Sequence, residues 1–392
     1  MNFQKGSIGN HGRKDPLDAI MGVIGAVASL SAVGTYFGYG RSIAGILVPL
    51  TAWAYWKTPG RSYPTASSIA DSSMDLTGKV AIVTGPTSGI GKETARVLAL
   101  RGVHVILAGR SDAKLLTTQQ DLERNLAKQG IQGKFTAIQM DLNDLRTIDR
   151  FVADFQQLKL PLHLLINNAG VMTIPERRAT EQGLEQQIGI NHVGHYYLTR
   201  LLVDALKASS APKSKTRVVC LSSTGFRLAT EGFFDHQNTG LETSPYDPWV
   251  AYGNAKLSNM LFAREFHRRF SDQGIEACSV MPGAIHTGLQ ANISWWKAVK
   301  WFVVTPFFFK SIEQGAATTL YAALKVDLSE KSNGGQYFED CKTSTIASKM
   351  PQAACDFLWT ATEAKLEELG FPVPVYQPGR VVAGATTSSK LN

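Results

Sequence analysis

Val80-Ala81-Ile82-Val83-Thr84-Gly85-Pro86-Thr87-Ser88-Gly89-Ile90-Gly91 is a short apolar run broken by a glycine-rich turn that then enters a helical pattern. It reads as a strand, a phosphate-holding turn and a helix N-terminus. Gly85 lets the chain turn sharply, Gly89 lets backbone approach a pyrophosphate with no Cβ in the way, and Gly91 lets the new helix pack close to the strand. The helix N-terminus adds free N–H groups and a partial positive charge. The glycines at 85, 89 and 91 depart from the general G-x-G-x-x-G spacing. A chain with 35 glycines also produces ordinary glycine-rich loops, so the rest of the chain must decide.

From residue 75 the pattern alternates. Short apolar strand candidates lie at 79–84, 103–108, 135–140, 162–167, 217–221 and 275–281, as expected of a sheet covered on both faces. Helical stretches separate them at 89–101, 112–128, 144–157, 182–208 and 250–270, with further helical patterns at 313–325 and 352–369. Alternating β and α with right-handed crossovers gives an α/β fold, a doubly wound parallel sheet of Rossmann type.

The N-terminal part differs in composition. Residues 1–16 form a polar tail, and 17–56 hold much of the chain's apolar excess, with Asp18 and Arg41 as the only acid or base. The run 20–40 has about the 20 residues that a spanning helix needs, and a shorter run, 43–56, follows Arg41. Ala26-Val27-Ala28 has the small-x-small form of a signal cleavage site, but the apolar pattern continues well past it. A membrane anchor is the stronger reading. Arg13 and Lys14 precede the apolar region and Lys57 and Arg61 follow it, so the positive-inside tendency favours a hairpin with both flanks in the cytosol over a single span. Residues 57–74 read as a linker, 75–369 as the dinucleotide-binding catalytic domain and 370–392 as a tail. Trp295-Trp296-Lys297 through Trp301-Phe302, and then Pro306-Phe307-Phe308-Phe309-Lys310, mix bulky aromatics with lysines in a way suited to a lipid headgroup boundary, with an aromatic core helix as the bland alternative.

Forty basic against 32 acidic residues give a formal charge of +8, which favours an anionic surface or ligand without naming one. No arginine-rich arm, zinc-ligand spacing or aromatic-basic ribonucleoprotein motif accompanies it, which argues against nucleic acid and against a metal. Cys220, Cys278, Cys341 and Cys355 show no C-x-x-C and read as ordinary reduced thiols.

Tyr252 and Lys256 stand four apart, so on a helix they share one face. A nearby ammonium favours the ionised phenol and brings it within reach of acid/base work. Tyr321 and Lys325 repeat the spacing, but only Tyr252 lies between a strand ending in Ser222-Ser223 and one ending in Pro282-Gly283. Tyr321 and Lys325 read as an ordinary helix face.

Taken with the opening loop, Asp141-Leu142, Asn167-Asn168-Ala169-Gly170, Asn191, Ser223, Tyr252 with Lys256, and Pro282-Gly283 with Thr287 occur in one order along the chain. In this the region from about 75 to 369 resembles the short-chain dehydrogenase/reductase family. Asn191-His192-Val193-Gly194-His195, the long Ser223-to-Tyr252 connection and the segment from Trp295 onward are similar to its retinol dehydrogenase group. The resemblance implies that Tyr252 is the general acid in carbonyl reduction and the base in reverse, that Lys256 lowers its pKa and holds the nicotinamide ribose, and that Ser223 rather than Ser222 orients the substrate oxygen. Asn191 would hold a water linking Lys256 to solvent. Gly85, Thr87, Ser88, Gly89, Ile90, Gly91, Leu142, Asn168, Ala169, Gly170, Pro282, Gly283 and Thr287 would line the cofactor, with Asp141 accepting from the adenine amino group. His192 and His195 read as packing or surface histidines.

The second strand ends Leu-Ala-Gly-Arg without an acid, and Arg110 stands at its tip. Arginine's planar fork of donors suits a ribose 2′-phosphate, so the expected cofactor is NADP(H). The leading expectation is a membrane-associated oxidoreductase acting on an apolar alcohol or carbonyl compound (retinoid, sterol or lipid aldehyde or ketone), with the catalytic domain on the cytosolic face, the endoplasmic reticulum preferred to another organelle, membrane lipid as a partner and a homo-oligomer allowed. Two alternatives stand beside it: a nucleotide-sensing scaffold of the same fold, against which the intact Asn191, Ser223, Tyr252 and Lys256 argue, and a pigment reductase of the same family.

Overall fold

Residues buried on both faces of a sheet must be apolar throughout, and all five residues of Val80–Thr84 are buried. The computed structural model describes residues 63–212, 214–230, 246–285, 310–328 and 334–375. The expected anchor at 17–56, the aromatic segment 295–309 and Thr287 lie outside the described residues. In chain order the elements are α1 (Ala66–Ile69), β1 (Val80–Thr84), α2 (Gly89–Leu100), β2 (His104–Gly109), α3 (Asp112–Ala127), β3 (Lys134–Gln139), α4 (Leu145–Gln157), β4 (Leu164–Asn167), α5 (Gly194–Leu201), α6 (Val203–Ser209), β5 (Thr216–Leu221), α7 (Pro248–Phe270), β6 (Ile275–Met281), α8 (Ile312–Leu320), β7 (Tyr337–Glu339), β8 (Lys342–Ser344) and α9 (Gln352–Glu368). Among the described residues no helix is long and apolar enough to cross a membrane.

The strands form one sheet in the order β3-β2-β1-β4-β5-β6-β7-β8, parallel except for the last pair. Successive residues of a strand point to opposite faces. Val80 and Ile82 accordingly enter one core with α4 to α7 and α9, while Ala81 and Val83 enter the other with α1, α2, α3 and α8. Strand order reverses between β1 and β4, and the crevice at the carboxyl ends of these two strands is where an open α/β sheet receives ligands. Thr84, Asn167, Leu221 and Met281 end β1, β4, β5 and β6 and deliver the following loops to that edge.

The six expected strands are all present, with ends displaced by at most two residues. The helix expected from 250 begins two residues earlier, because Asp247 caps it by accepting from Trp249 and Val250 N–H and Pro248 fits its first turn. Over 182–208 the uniform helix expected from periodicity is instead a short turn Gln186–Ile188, a π turn Gly189–Val193, α5, a break at Leu202 and α6. Close packing accompanies the π turn: a Cβ on Gly189 would lie 2.4 Å from the Thr180 methyl. The β7–β8 hairpin was not expected, since each strand has three residues and its two-residue turn is Asp340-Cys341. Both turn residues have positive φ, 51° and 56°, the geometry for which Asn-Gly is the usual signal.

Residues 63–74, expected as part of a linker, are folded onto the domain. Ala66 and Ala70 are fully buried in the α2/α3/α8 core. Arg101 donates to the Ala70 carbonyl, and Lys325 forms an ion pair with Asp71 at 2.6 Å. The small, polar composition that reads as a linker also suits a strap lying flat across two helices.

Candidate active site

The glycine turn has the geometry its sequence implies. Gly85 and Gly89 have positive φ, 64° and 53°, which only glycine adopts without cost. A Cβ on Gly91 would lie 2.3 Å from the Gly85 carbonyl oxygen and 2.4 Å from Asn168 Nδ2, so the first turn of α2 folds against the loop that enters it. Ser88 is the N-cap of α2 but its side chain makes no cap hydrogen bond, which leaves the first-turn N–H donors available to an anion. Thr87 is half-buried and Ser88 exposed on this turn, whereas Ile90 packs into the core beside Gly315.

Asn168 fastens the turn to β4. Its Nδ2 donates to the carbonyls of Thr84 at 2.7 Å and Gly85 at 3.3 Å, and the Asn168 and Ala169 amides both donate to Thr84 Oγ1 at 2.9 Å. Gly170 follows where no side chain fits: a Cβ there would lie 2.9 Å from Asn191 Oδ1 and 3.6 Å from Lys256 Nζ. Asn191, on the π turn, grips Val171 through both side-chain atoms, accepting from its amide at 2.8 Å and donating to its carbonyl at 2.9 Å.

Tyr252 and Lys256 lie one turn apart on α7, both buried, with the ammonium 5.6 Å from the ring centre. The half-buried Ser223 caps its own turn by accepting from Gly225 N–H at 3.1 Å, and a Cβ on Gly225 would lie 3.4 Å from Ser223 Oγ and 2.8 Å from Tyr252 Cε1, so the two side chains flank the same glycine. Ser222 is committed elsewhere, its hydroxyl donating to the Lys256 carbonyl at 2.7 Å. Lys256 Nζ donates to the Leu221 carbonyl at 3.2 Å. Burial pushes the Tyr252 phenol up to about 12, opposed by the Ser223 side chain, and brings the Lys256 amine down to about 8. In this arrangement desolvation is the leading influence on the phenol, and the Lys256 amine is turned to the β5 carbonyl.

The outer residues divide. Arg110 is exposed at the tip of β2 and its guanidinium has no ion pair or hydrogen bond among the described residues; only its carbonyl is used, by Gln139. Asp141 accepts from the Asn143 amide at 3.0 Å, while the cap of α4 is Asp144. Leu142 turns its side chain into the core against Gly194, so only its backbone can face a ligand. Gly283, beside Pro282, has φ 98° and lies under the Lys310 side chain, where a Cβ would come within 2.7 Å of Lys310 Cδ. Thr287 lies outside the described residues.

Several residues of this edge are not singled out by spacing. Gly225 is backed by the Tyr252 ring, with 2.8 Å from a hypothetical Cβ to Tyr252 Cε1. The half of a Ser-Ser-Thr-Gly run that matters only as space leaves no pattern to find. Lys310 pairs with Asp340 and lies 4.6 Å from the Tyr63 ring centre, joining hairpin, strap and the Pro282-Gly283 loop. His192 is buried between Tyr196 and Phe262 with Thr362 at 3.3 Å, a packing residue as expected. His195 is no surface residue: it is buried in the crevice, 2.9 Å from Thr84 Oγ1. The second Tyr-x-x-x-Lys pair stays structural, Tyr321 packing on Phe338 and Lys325 bound to Asp71.

Residues 79–233 match a family profile described as short chain dehydrogenase. The chain is 37% identical to Retinol dehydrogenase 12 of Mus musculus over 307 residues, 78% of this chain and 92% of the relative. It is 36% identical to the chloroplastic Short-chain dehydrogenase TIC 32 A of Brassica napus, over 78% of this chain and 95% of that one. Among solved structures, an uncharacterized protein from Mycobacterium paratuberculosis superposes with a TM-score of 0.58 at 27% identity, over 80% of this chain and all of the other.

Proposed function

The chain belongs to the short-chain dehydrogenase family and resembles its retinol dehydrogenase group, and from that premise we propose that it is an NADP(H)-dependent oxidoreductase acting on an apolar carbonyl compound or its alcohol. The observation that carries this reading is the convergence of Ser223, Tyr252 and Lys256 at the carboxyl edge of β5, with Ser223 Oγ and the Tyr252 ring flanking Gly225 and Lys256 beside Gly170 and Asn191.

The residues fit a dinucleotide. Gly85 and Gly89 supply the turn, the uncapped start of α2 supplies donors for the pyrophosphate, and Gly170 lets Asn191 and Lys256 approach the loop after β4. When bound, the nicotinamide supplies the hydride that reduces the substrate carbonyl carbon. Tyr252 remains a phenol across the neutral range, since burial holds it near 12, and so acts as the proton donor to the carbonyl oxygen as that oxygen gains charge. Ser223, beside the phenol, orients the same oxygen. Lys256 carries its proton below about pH 8 and, beside Gly170, would hold the ribose of the cofactor next to Tyr252. Each turnover consumes one carbonyl, one hydride and one proton and yields one alcohol.

Arg110 supports the choice of NADP(H): a cation stands where an NAD enzyme presents an acid, and it is held by no other group among the described residues. Losing one charge-assisted contact costs about 1.5–3 kcal/mol, so Arg110→Ala should weaken NADPH by roughly ten- to a hundredfold and NADH little. Equal affinity of the wild type for both cofactors contradicts the assignment. An apolar substrate and a membrane location go together. The run 17–56, with basic residues on both flanks, serves as an anchor, and a catalytic domain facing the cytosol would meet both NADPH and lipid-dissolved substrate. Turnover with NADPH against retinoid, sterol and fatty aldehydes and ketones tests the substrate class; activity confined to small polar carbonyl compounds overturns it.

A further inference from the structure

His195 sits where three loops of the crevice meet, and its hydrogen bonds can be accounted for completely. Nδ1 lies 3.0 Å from the Asn191 carbonyl oxygen, which can only accept, so Nδ1 carries the proton. Nε2 then offers a lone pair, and the Thr84 hydroxyl at 2.9 Å donates to it. That orientation leaves Thr84 Oγ1 with its two lone pairs for the Asn168 and Ala169 amides, both at 2.9 Å. The Ile166 carbonyl at 3.3 Å is a second, longer acceptor for the same hydroxyl, so the direction of the chain is set by the Asn191 carbonyl at Nδ1 and by the two amides on Thr84 Oγ1. Reversing the imidazole tautomer would set Nδ1 against a carbonyl with no proton between them and bring a third donor to Thr84 Oγ1, whose hydroxyl would have to turn to the Ile166 carbonyl.

We propose that His195 is a positioning residue that, as the neutral Nδ1–H tautomer, locks the Asn191 turn to the ends of β1 and β4. Its two sides serve different parts of the site. Through Nε2 it orders Thr84 and hence the Asn168 side chain, which holds the carbonyls of Thr84 and Gly85 at the mouth of the glycine turn. Through Nδ1 it holds the π turn, whose Asn191 Oδ1 and the neighbouring Lys256 Nζ both flank Gly170. The ring is closed to solvent, and Lys256 lies near enough to oppose a proton on it, so the neutral tautomer is the one the site holds. The kinetic part rests on the oxidoreductase reading above; the binding and tautomer parts do not.

Two substitutions separate the sides. Asparagine places an amide nitrogen near the Nδ1 position and keeps the donor to Asn191, whereas glutamine reaches the Nε2 position with an amide oxygen and keeps the acceptor for Thr84. His195→Asn should weaken NADPH binding, measured by fluorescence titration, about tenfold with kcat at saturating cofactor near wild type. His195→Gln should lower kcat about tenfold and displace the pH profile set by Lys256, with a smaller change in NADPH affinity. Nitrogen-15 NMR of the labelled wild-type histidines should show His195 protonated at Nδ1 and bare at Nε2 down to pH 5. Equal losses in both variants, losses of thermal stability alone, or an Nε2–H tautomer would each overturn the proposal. A wild type that binds NADPH but reduces no carbonyl compound removes the oxidoreductase reading, while the binding comparison and the tautomer still decide the role of His195.

Discussion

At the residue level the sequence could single out candidates by chemical identity, a tyrosine and a lysine one helical turn apart, a serine at a strand end and an asparagine beside a histidine, and the fold brings them to one edge of the sheet. What was not legible is the environment. Spacing does not reveal that burial pushes the Tyr252 phenol up or that the Lys256 ammonium is bonded to the Leu221 carbonyl. Gly225 was equally invisible, since its contribution is the space its missing side chain gives to the Tyr252 ring. Gly225→Ala should therefore push that ring aside and lower kcat by about ten- to a hundredfold. NADPH affinity, measured directly, should stay close to wild type, and an unchanged kcat would show that the ring has room to spare.

At the level of elements, period-2 and period-3.6 patterns located every strand and helix long enough to express a period. They failed where a local contact overrides the period. The π turn at Gly189–Val193 escapes helical periodicity, because its one extra residue leaves composition unchanged and shifts the helical phase within too short a span for the spacing to reveal. The three-residue strands of the β7–β8 hairpin are too short to alternate. The strap at 63–74 has linker composition, yet Ala66 and Ala70 are as buried as any core residue. Ala66→Asp should destabilise the domain by about 3 kcal/mol, since an unpaired charge would enter an apolar layer. Urea unfolding checks this, and a midpoint equal to wild type would mean that the strap is not part of the folded unit.

For the whole molecule, burial of neutral histidine sets the response to acid. His104, His163, His192, His195 and His267 are all lowered, with burial the leading cause, His195 and His267 to about 4 and His192 to about 3. Above about pH 6.5 these rings are neutral folded and unfolded alike. As pH falls from there toward 4, the unfolded chain takes up protons that the folded one refuses, so stability declines, by on the order of 3 kcal/mol for His195 alone. Thermal unfolding across pH 7 to 4 should show a steady drop in Tm, and a flat profile would contradict the buried neutral state. The sheet order, the crevice between β1 and β4 and the loops that end at it follow from alternation along the whole chain, which is why the fold was readable before any side chain was placed. The central claim is that this crevice performs carbonyl reduction with Tyr252 as the acid. Its most direct test is kcat of Tyr252→Phe with saturating NADPH and an apolar aldehyde, alongside the NADPH dissociation constant. The account predicts a loss of about a hundredfold or more with NADPH affinity nearly unchanged; a kcat close to wild type would contradict it.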